Sequence, residues 1–490
     1  MKFVLAIDQG TTSTRASLID KNGNIFYKSQ QKLQCYFPHD GWVEQNAIDI
    51  WLSVLNVIND LLAKTNLSYD NVDCIGITNQ RETTIVWDKK TGMPVYNALV
   101  WQSRQSAPIC DSIKGKEEMV HNKTGLIINP YFSASKIRFI LDNIPNGQKR
   151  AENGELMFGT VDTWIMYKMS KNKIFKIDIS NASRTMLYNI TTNDYDDELL
   201  KLFNIPKIML PEVCESSSFF GYASFLKDDL KICGVAGDQQ AALFGQNCLN
   251  IGDLKATYGT GCFVLMNIGD KPIIENNGLI TTIGWKINGK ITYALEGSVF
   301  VGGSAIQRLR DQMRMIKKAS ESETYALRVE DTLGVYVVPA FVGLGAPYWD
   351  DNCRGAVFGL TRATTKEHFI KATLNSIALQ TKDVISLIAK TCNKEINFVR
   401  VDGGATSNNY LMQYQADILS KEVILPKNLE TTSLGVAFLA GLNNGFWKNI
   451  DEIKSINNIQ KIFKPKMGKN KIKEIDRKWA IAINATREFK

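Results

Sequence analysis

With 490 residues, 44% of them hydrophobic and 22% charged, the chain is too long for one ordinary core, and length predicts about three domains or two larger lobes. The composition excludes disordered and fibrous chains, and no run reaches the ~20 apolar residues of a membrane span. The formal charge of +8 is spread thinly; its densest stretch, Lys461 to Lys478, is interrupted by Glu474 and Asp476 and reads as a solvated helix face, with nucleic acid excluded as the expected partner.

The chain opens with the apolar run Phe3–Ile7, too short for a signal peptide, which predicts a cytoplasmic protein. Phe3–Ile7, Thr14–Ile19 and Ile25–Tyr27 read as a three-strand meander, the last two joined by a turn at Asn22-Gly23. Between the first two strands lies Asp8-Gln9-Gly10-Thr11-Thr12-Ser13-Thr14-Arg15. Its glycine lets the backbone approach an anion, and its successive hydroxyls can bond phosphate oxygens. Asp8, at the strand end, is placed to hold Mg²⁺, which favours one or two carboxylates plus phosphates; an ordinary polar hairpin is the competing reading.

Asn46 opens a helix with Asp49 at capping distance and Trp51, Val54, Leu55, Ile58, Leu61 and Leu62 on one face. Cys74–Thr78, Thr84–Trp87 and Val95–Trp101 read as strands, with a turn at Lys89 to Gly92 and a helical region at 136–141. Arg81 and Glu82, adjacent in Thr78-Asn79-Gln80-Arg81-Glu82-Thr83-Thr84, offer the donors and acceptors a polyhydroxyl ligand requires, or else a surface ion pair. Asp238 in Gly237-Asp238-Gln239-Gln240 stands at a helix start, where the dipole favours its charged form; it reads as a base or simply as a cap.

In the second half, Lys255–Tyr258 and Cys262–Asn267 flank Gly259-Thr260-Gly261, a second strand–turn–strand device able to reach a phosphate. Ile396–Val401 precedes Asp402-Gly403-Gly404, where adenine or ribose can approach the backbone, and helices are predicted at 366–390, 408–420 and 432–442. The recurrence of the device near residues 10 and 260 predicts a distant internal duplication within an α/β architecture. Nine cysteines without a C-x-x-C pair and only three histidines argue for reduced, buried thiols and against structural zinc.

Together and in this order, Asn79-Gln80-Arg81-Glu82-Thr83-Thr84, Val100-Trp101-Gln102, Gly237 to Gly245, Tyr258-Gly259-Thr260-Gly261-Cys262-Phe263 and Asp402-Gly403-Gly404-Ala405 resemble the FGGY family of carbohydrate kinases. The resemblance runs from Phe3 to about Trp447. It implies two actin-like (ribonuclease H-like) ATPase domains with a central cleft, 1–247 and 248–490, and ATP- and Mg²⁺-dependent phosphorylation of glycerol. It further implies that Arg81, Glu82, Asp238, Gln239 and Tyr131 bind the polyol hydroxyls, with Trp101 and Phe263 against the carbons and Asp238 as general base. Thr11, Thr12, Ser13, Arg15 and Thr260 would meet the phosphates; Gly303, Ile306, Gln307, Gly404 and Asn408 would form the adenosine side. A homodimer or homotetramer is implied as well.

Some positions depart from the family pattern. Phe139 stands where the family often has Trp, and Asn375 where it commonly has an acid or Gln. Asp229 occupies the place of the Arg that binds fructose 1,6-bisphosphate, and Ser218 that of a phosphorylated His, which argues against both forms of regulation. The alternatives are a family member acting on a pentulose and, from another class, an actin- or Hsp70-like ATPase. Such an ATPase would share the phosphate turns but need no polyol set.

Overall fold

The computed structural model describes residues 1–350, 352–456 and 459–489. Thirteen strands form one sheet: β1 (Phe3–Gln9), β2 (Ser13–Ile19), β3 (Ile25–Lys32), β4 (Val72–Asn79), β5 (Ser217–Tyr222), β6 (Lys231–Gly237), β7 (Leu254–Tyr258), β8 (Cys262–Gly269), β9 (Ile280–Ile287), β10 (Lys290–Val299), β11 (Phe398–Asp402), β12 (Glu422–Pro426) and β13 (Ile459–Phe463). Their order across the sheet is β13-β12-β11-β7-β8-β10-β9-β5-β6-β4-β1-β2-β3.

The duplication is explicit in this order. β1 pairs antiparallel with β2, β2 antiparallel with β3, and β1 and β6 both run parallel to β4. In the second half β7 pairs antiparallel with β8, β8 antiparallel with β10, and β7 and β12 both run parallel to β11. Strand β1 is buried throughout, as expected of a strand covered on both faces.

Helices cover the sheet: α1 (Ala47–Thr65), α2 (Asp238–Gly245), α3 (Gly303–Asp311), α4 (Lys366–Cys392), α5 (Asn409–Leu419) and α6 (Thr431–Asn443). The side chain of Asn46 caps α1 by accepting from the Ile48 N–H at 2.8 Å, as the sequence predicts. Helix α6 lies against α2 at a distance only glycine allows. A Cβ on Gly435 would stand 1.7 Å from the Ala241 carbonyl oxygen, and one on Gly245 2.0 Å from that of Thr431. A helix from the second half thereby fixes the helix that begins at Asp238.

Two expectations are corrected. Val95–Trp101 is not one strand: only Ala98–Leu99 is extended in a ladder. The Val95 N–H bonds the Val86 carbonyl, Leu99 that of Thr84, and Val100 that of Val43, so the segment leaves the 84–87 strand for residues 43–45 partway along. The basic C-terminal run is likewise not one helix face, because Lys461 lies in edge strand β13 and a helix starts only at Lys469; Lys on an edge strand discourages further pairing. The nine cysteines are free, six of them buried, and among the described residues no helix is long and apolar enough to cross a membrane.

Beneath the site, Asp178 caps a short helix by accepting from the Ser180 and Asn181 N–H groups, and Asn181 exchanges side-chain hydrogen bonds with Asn79 at 3.0 and 3.1 Å. Asp162, fully buried beside it, is pushed up to about 7 by burial and then by the charge of Asp178. A raised carboxyl retains a proton that the unfolded chain has already released, so its contribution to stability is lost as pH climbs from the ordinary carboxylate range through about 7. Asp162→Asn is therefore expected to gain melting temperature relative to the parent between pH 5 and pH 8. Parallel melting curves across that range would show that Asp162 does not titrate there.

Candidate active site

Strand β4 ends at Asn79, and the chain then turns tightly: the Thr83 N–H bonds the Arg81 carbonyl at 2.6 Å and Glu82 takes φ 55°. A non-glycine residue held at positive φ costs about 1–3 kcal/mol and persists where its surroundings over-determine it. Here the surroundings are ionic. The Arg81 guanidinium meets Glu296, on β10, through both terminal nitrogens at 2.6 and 3.0 Å. Arg184 bonds Glu82 through Nε at 2.6 Å and Glu296 through Nη2 at 3.2 Å. These four residues are at most 3% exposed.

Such a group is stable only because its charges alternate, since a buried ion left alone costs several kcal/mol. Burial works against the charge of Glu296, but Arg184 and Arg81 outweigh it and hold the carboxyl down to about 2. Burial raises Glu82, and the same two arginines draw it back. With its fork engaged, Arg81 presents Nε at 3.4 Å from Asp238 Oδ1 and 3.8 Å from Glu82 Oε1. Sequence reading missed Glu296 and Arg184. A signal existed, because a lone carboxylate inside the apolar strand Lys290–Val299 demands a buried partner.

Asp238 is the first residue of α2, after Gly237 at the N-cap position. Its Oδ1 accepts the Gln239 N–H at 2.7 Å, and burial raises its pKa while Arg81 and Lys255 oppose the rise. Asp238 thus both anchors the helix start and presents a carboxylate to open space. Arg81, Glu82, Trp101, Tyr131, Asp238, Gln239 and Phe263 converge with Thr11 on one cavity of about 60 Å³. The Trp101 ring stands 5.5 Å from Tyr131 and 6.3 Å from Phe263, both edge-on, and its indole N–H donates to the Thr11 hydroxyl at 2.8 Å. All seven residues expected at the polyol site come together.

A second cavity, about 420 Å³, is lined by Thr260, Gly303, Ile306, Gln307, Gly404 and Asn408 together with Tyr258 and Ser407. Asn408 caps α5 through its side chain, accepting from the Leu411 N–H at 2.9 Å. The first glycine–hydroxyl turn divides its residues. Thr11 reaches the small cavity, Thr12 is exposed, and Ser13 is buried as the first residue of β2. Arg15 lines neither cavity; its Nη1 lies 3.4 Å from Asp8 Oδ2 and its Nε 3.8 Å from Glu430 Oε2. Asp8 is 6% exposed, and burial raises it to about 6 against the pull of Arg15, with Glu430 and Asp238 adding to the rise.

Two strand meanders, each with a glycine–hydroxyl turn between its first two strands, give the chain the actin-like ATPase fold. Residues 3–245 match the N-terminal domain of the FGGY family of carbohydrate kinases and residues 254–443 its C-terminal domain. The chain belongs to this family and is a kinase. It is similar to the glycerol kinases of Bacillus mycoides (strain KBAB4) and Bacillus cereus (strain G9842), each 55% identical over 494 residues and matched over 100% of both chains. Among solved structures it is similar to Plasmodium falciparum glycerol kinase with ADP, with a TM-score of 0.92 and 35% identity over 99% of this chain and 98% of that one. The xylulose kinase of Lactobacillus acidophilus shares the fold, with a TM-score of 0.86 at 21% identity over 99% of this chain and 98% of its own.

Proposed function

We propose that this kinase transfers the γ-phosphoryl group of ATP to glycerol, giving sn-glycerol 3-phosphate and ADP. The observation that carries the proposal is the small cavity itself. Two carboxylates, a guanidinium and an amide line it together with three aromatic rings, a set that can hydrogen-bond several hydroxyls and cover a short carbon chain. A polyol needs such a mixed lining because its hydroxyls must be hydrogen-bonded on leaving water while its carbons favour apolar walls.

Phosphoryl transfer asks the protein mainly for positioning and charge stabilisation. Glu82 and Asp238 accept hydrogen bonds from substrate hydroxyls, and the Arg81 and Gln239 side chains face the same ligand. Asp238 takes the proton of the attacking hydroxyl as its oxygen bonds phosphorus. Thr260 in one turn and Thr11, Thr12, Ser13 and Arg15 around the other meet the phosphates, while Gly303, Ile306, Gln307, Gly404 and Asn408 receive the adenosine.

Asp8 fits a Mg²⁺ site. It is buried and raised to about 6 with a single long ion pair, so a hard cation would relieve a charge that burial disfavours. Bound there among phosphate oxygens, Mg²⁺ would neutralise charge on the transferring group. Among the described residues no three His, Cys, Asp or Glu groups form a metal cluster, which suits an ion held largely by nucleotide and water. We propose a domain division at 247/248, between α2 and β7, and, on the family resemblance, a cytoplasmic homodimer or homotetramer.

The test is ADP release with ATP and Mg²⁺ in the presence of glycerol, dihydroxyacetone, xylulose, ribulose, gluconate or no acceptor. Glycerol is expected to stimulate most, with glycerol 3-phosphate as product. Preference for a pentulose would overturn the pocket reading, and indifference to every acceptor would favour an ATPase module. A separate variant addresses the nucleotide side. A Cβ at Gly404 would meet nothing within 4 Å, so Gly404→Val is expected to fold normally. It fills space in the larger cavity and should raise KM for ATP by about tenfold or more, the scale of losing one well-packed contact. An unchanged KM for ATP would move the adenosine elsewhere.

A further inference from the structure

Lys255, on β7, is completely buried and its ammonium points across to α2. It donates to the side-chain oxygen of Gln239 and to the Thr257 hydroxyl at 2.8 Å. We infer that Lys255 is a positioning residue that locks the Gln239 amide with its NH₂ turned into the polyol cavity, so that a strand of the second lobe sets a donor on the first. The inference rests on the polyol reading of that cavity.

The reasoning is one of donor and acceptor inventory. An ammonium has three donors and no acceptor, so the group it touches on Gln239 must be the oxygen. The amide could otherwise flip with little cost; against Lys255 it cannot. Gln239 lines the cavity, and among the described residues its Nε2 has no hydrogen-bond partner in the chain. The free N–H groups are thus left for a substrate hydroxyl oxygen, complementing the acceptors Glu82 and Asp238.

The charge of Lys255 has a reason to persist in the interior. Burial lowers it to about 8, and Asp402, Asp238 and Glu296 support the cation while Arg81 opposes it. Asp402 is itself buried; its Oδ2 accepts from Gln246 at 2.9 Å and from the Thr431 hydroxyl, whereas Oδ1 has no hydrogen-bond partner among the described residues. Lys255 therefore stands between carboxylates of both lobes. A neutral isostere would keep the packing and release the amide.

The experiment is a double-mutant cycle on glycerol KM with Lys255→Met and Gln239→Ala. Each single variant is expected to raise KM for glycerol by about tenfold or more, the scale of losing one buried hydrogen bond to substrate, with KM for ATP unchanged. The double variant should be no worse than the weaker single. Lys255→Arg, which keeps a donor on the Gln239 oxygen, should restore KM to within about threefold of the parent. Multiplicative losses in the double variant, or a loss shared equally between glycerol and ATP, would overturn the inference and leave Lys255 a purely structural ion.

Should Lys255→Met be recovered unfolded, Gln239→Glu supplies the decisive reading: it keeps an acceptor for Lys255 but has no N–H. Its KM for glycerol should rise as in Gln239→Ala, and a parental KM would sink the proposal. Turnover of glycerol by the parent protein is measured first. A parent inert toward glycerol fails the polyol reading and the inference together, whereas an active parent with an additive cycle fails the inference alone.

Discussion

Asp238→Asn is expected to leave a folded protein that phosphorylates glycerol about 10²–10⁴-fold more slowly, the range for loss of a general base. The amide is nearly isosteric with the carboxylate. It can still accept the Gln239 N–H that Asp238 Oδ1 now receives at 2.7 Å, so the start of α2 should hold. What it cannot do is accept the proton of the attacking hydroxyl. The elevated pKa that burial gives Asp238, tempered by Arg81 and Lys255, brings the carboxylate closer to the working range of a base than an exposed aspartate would be. The check is kcat at saturating glycerol and ATP, alongside KM for ATP, which should stay within about threefold because Asp238 does not line the larger cavity. A turnover near that of the parent would remove Asp238 from the role of base.

The second large effect is structural and falls on Glu296. Glu296→Ala strips the carboxylate that both Arg81 and Arg184 grip and leaves two guanidinium groups in a dry interior, Arg184 on Glu82 and Arg81 with only the longer contacts of its Nε to Asp238 and Glu82. Breaking a buried pair in this way costs about 3–5 kcal/mol, mostly as the penalty of the charge left behind. At about 2–4 °C per kcal/mol for a unit of about 250 residues, that corresponds to a fall in melting temperature of roughly 6–20 °C. Arg81 would also lose the bidentate contact that aims it, so KM for glycerol should rise by about tenfold or more in whatever protein remains folded. Glu296→Gln should fall between the two in melting temperature, because it keeps an acceptor for one arginine. If Glu296→Ala melts with the parent, the ion group is not what holds the Arg81–Glu82 turn.

Much of the site was legible because family-like motifs carry it. Arg81-Glu82, Trp101, Asp238-Gln239 and Phe263 are each written in a short run, and the fold brings all of them to one cavity. Thr11 shows the limit of that reading. Its place among hydroxyls suggests a phosphate, yet its hydroxyl accepts the Trp101 indole N–H and lines the small cavity with Arg81 and Asp238. Residues 95–101 failed for a different reason. Their apolar run has strand character, but a regular strand needs a continuous partner, and this segment is shared between residues 84–87 and 43–45.

Neighbouring residues decide among themselves the Asn22-Gly23 turn, the cap at Asn46, the glycine turns at 10 and 259–261 and the start of α2 at Asp238. These follow from φ preferences and hydrogen bonds that span a few residues. Which charges meet is set by the folded arrangement of distant segments. Arg81 and Glu296 are 215 positions apart, and Arg184 and Glu82 102 apart. Whether a buried charge is tolerable depends on the opposite charges the fold brings within reach, and nothing in the local spacing of residues records that convergence.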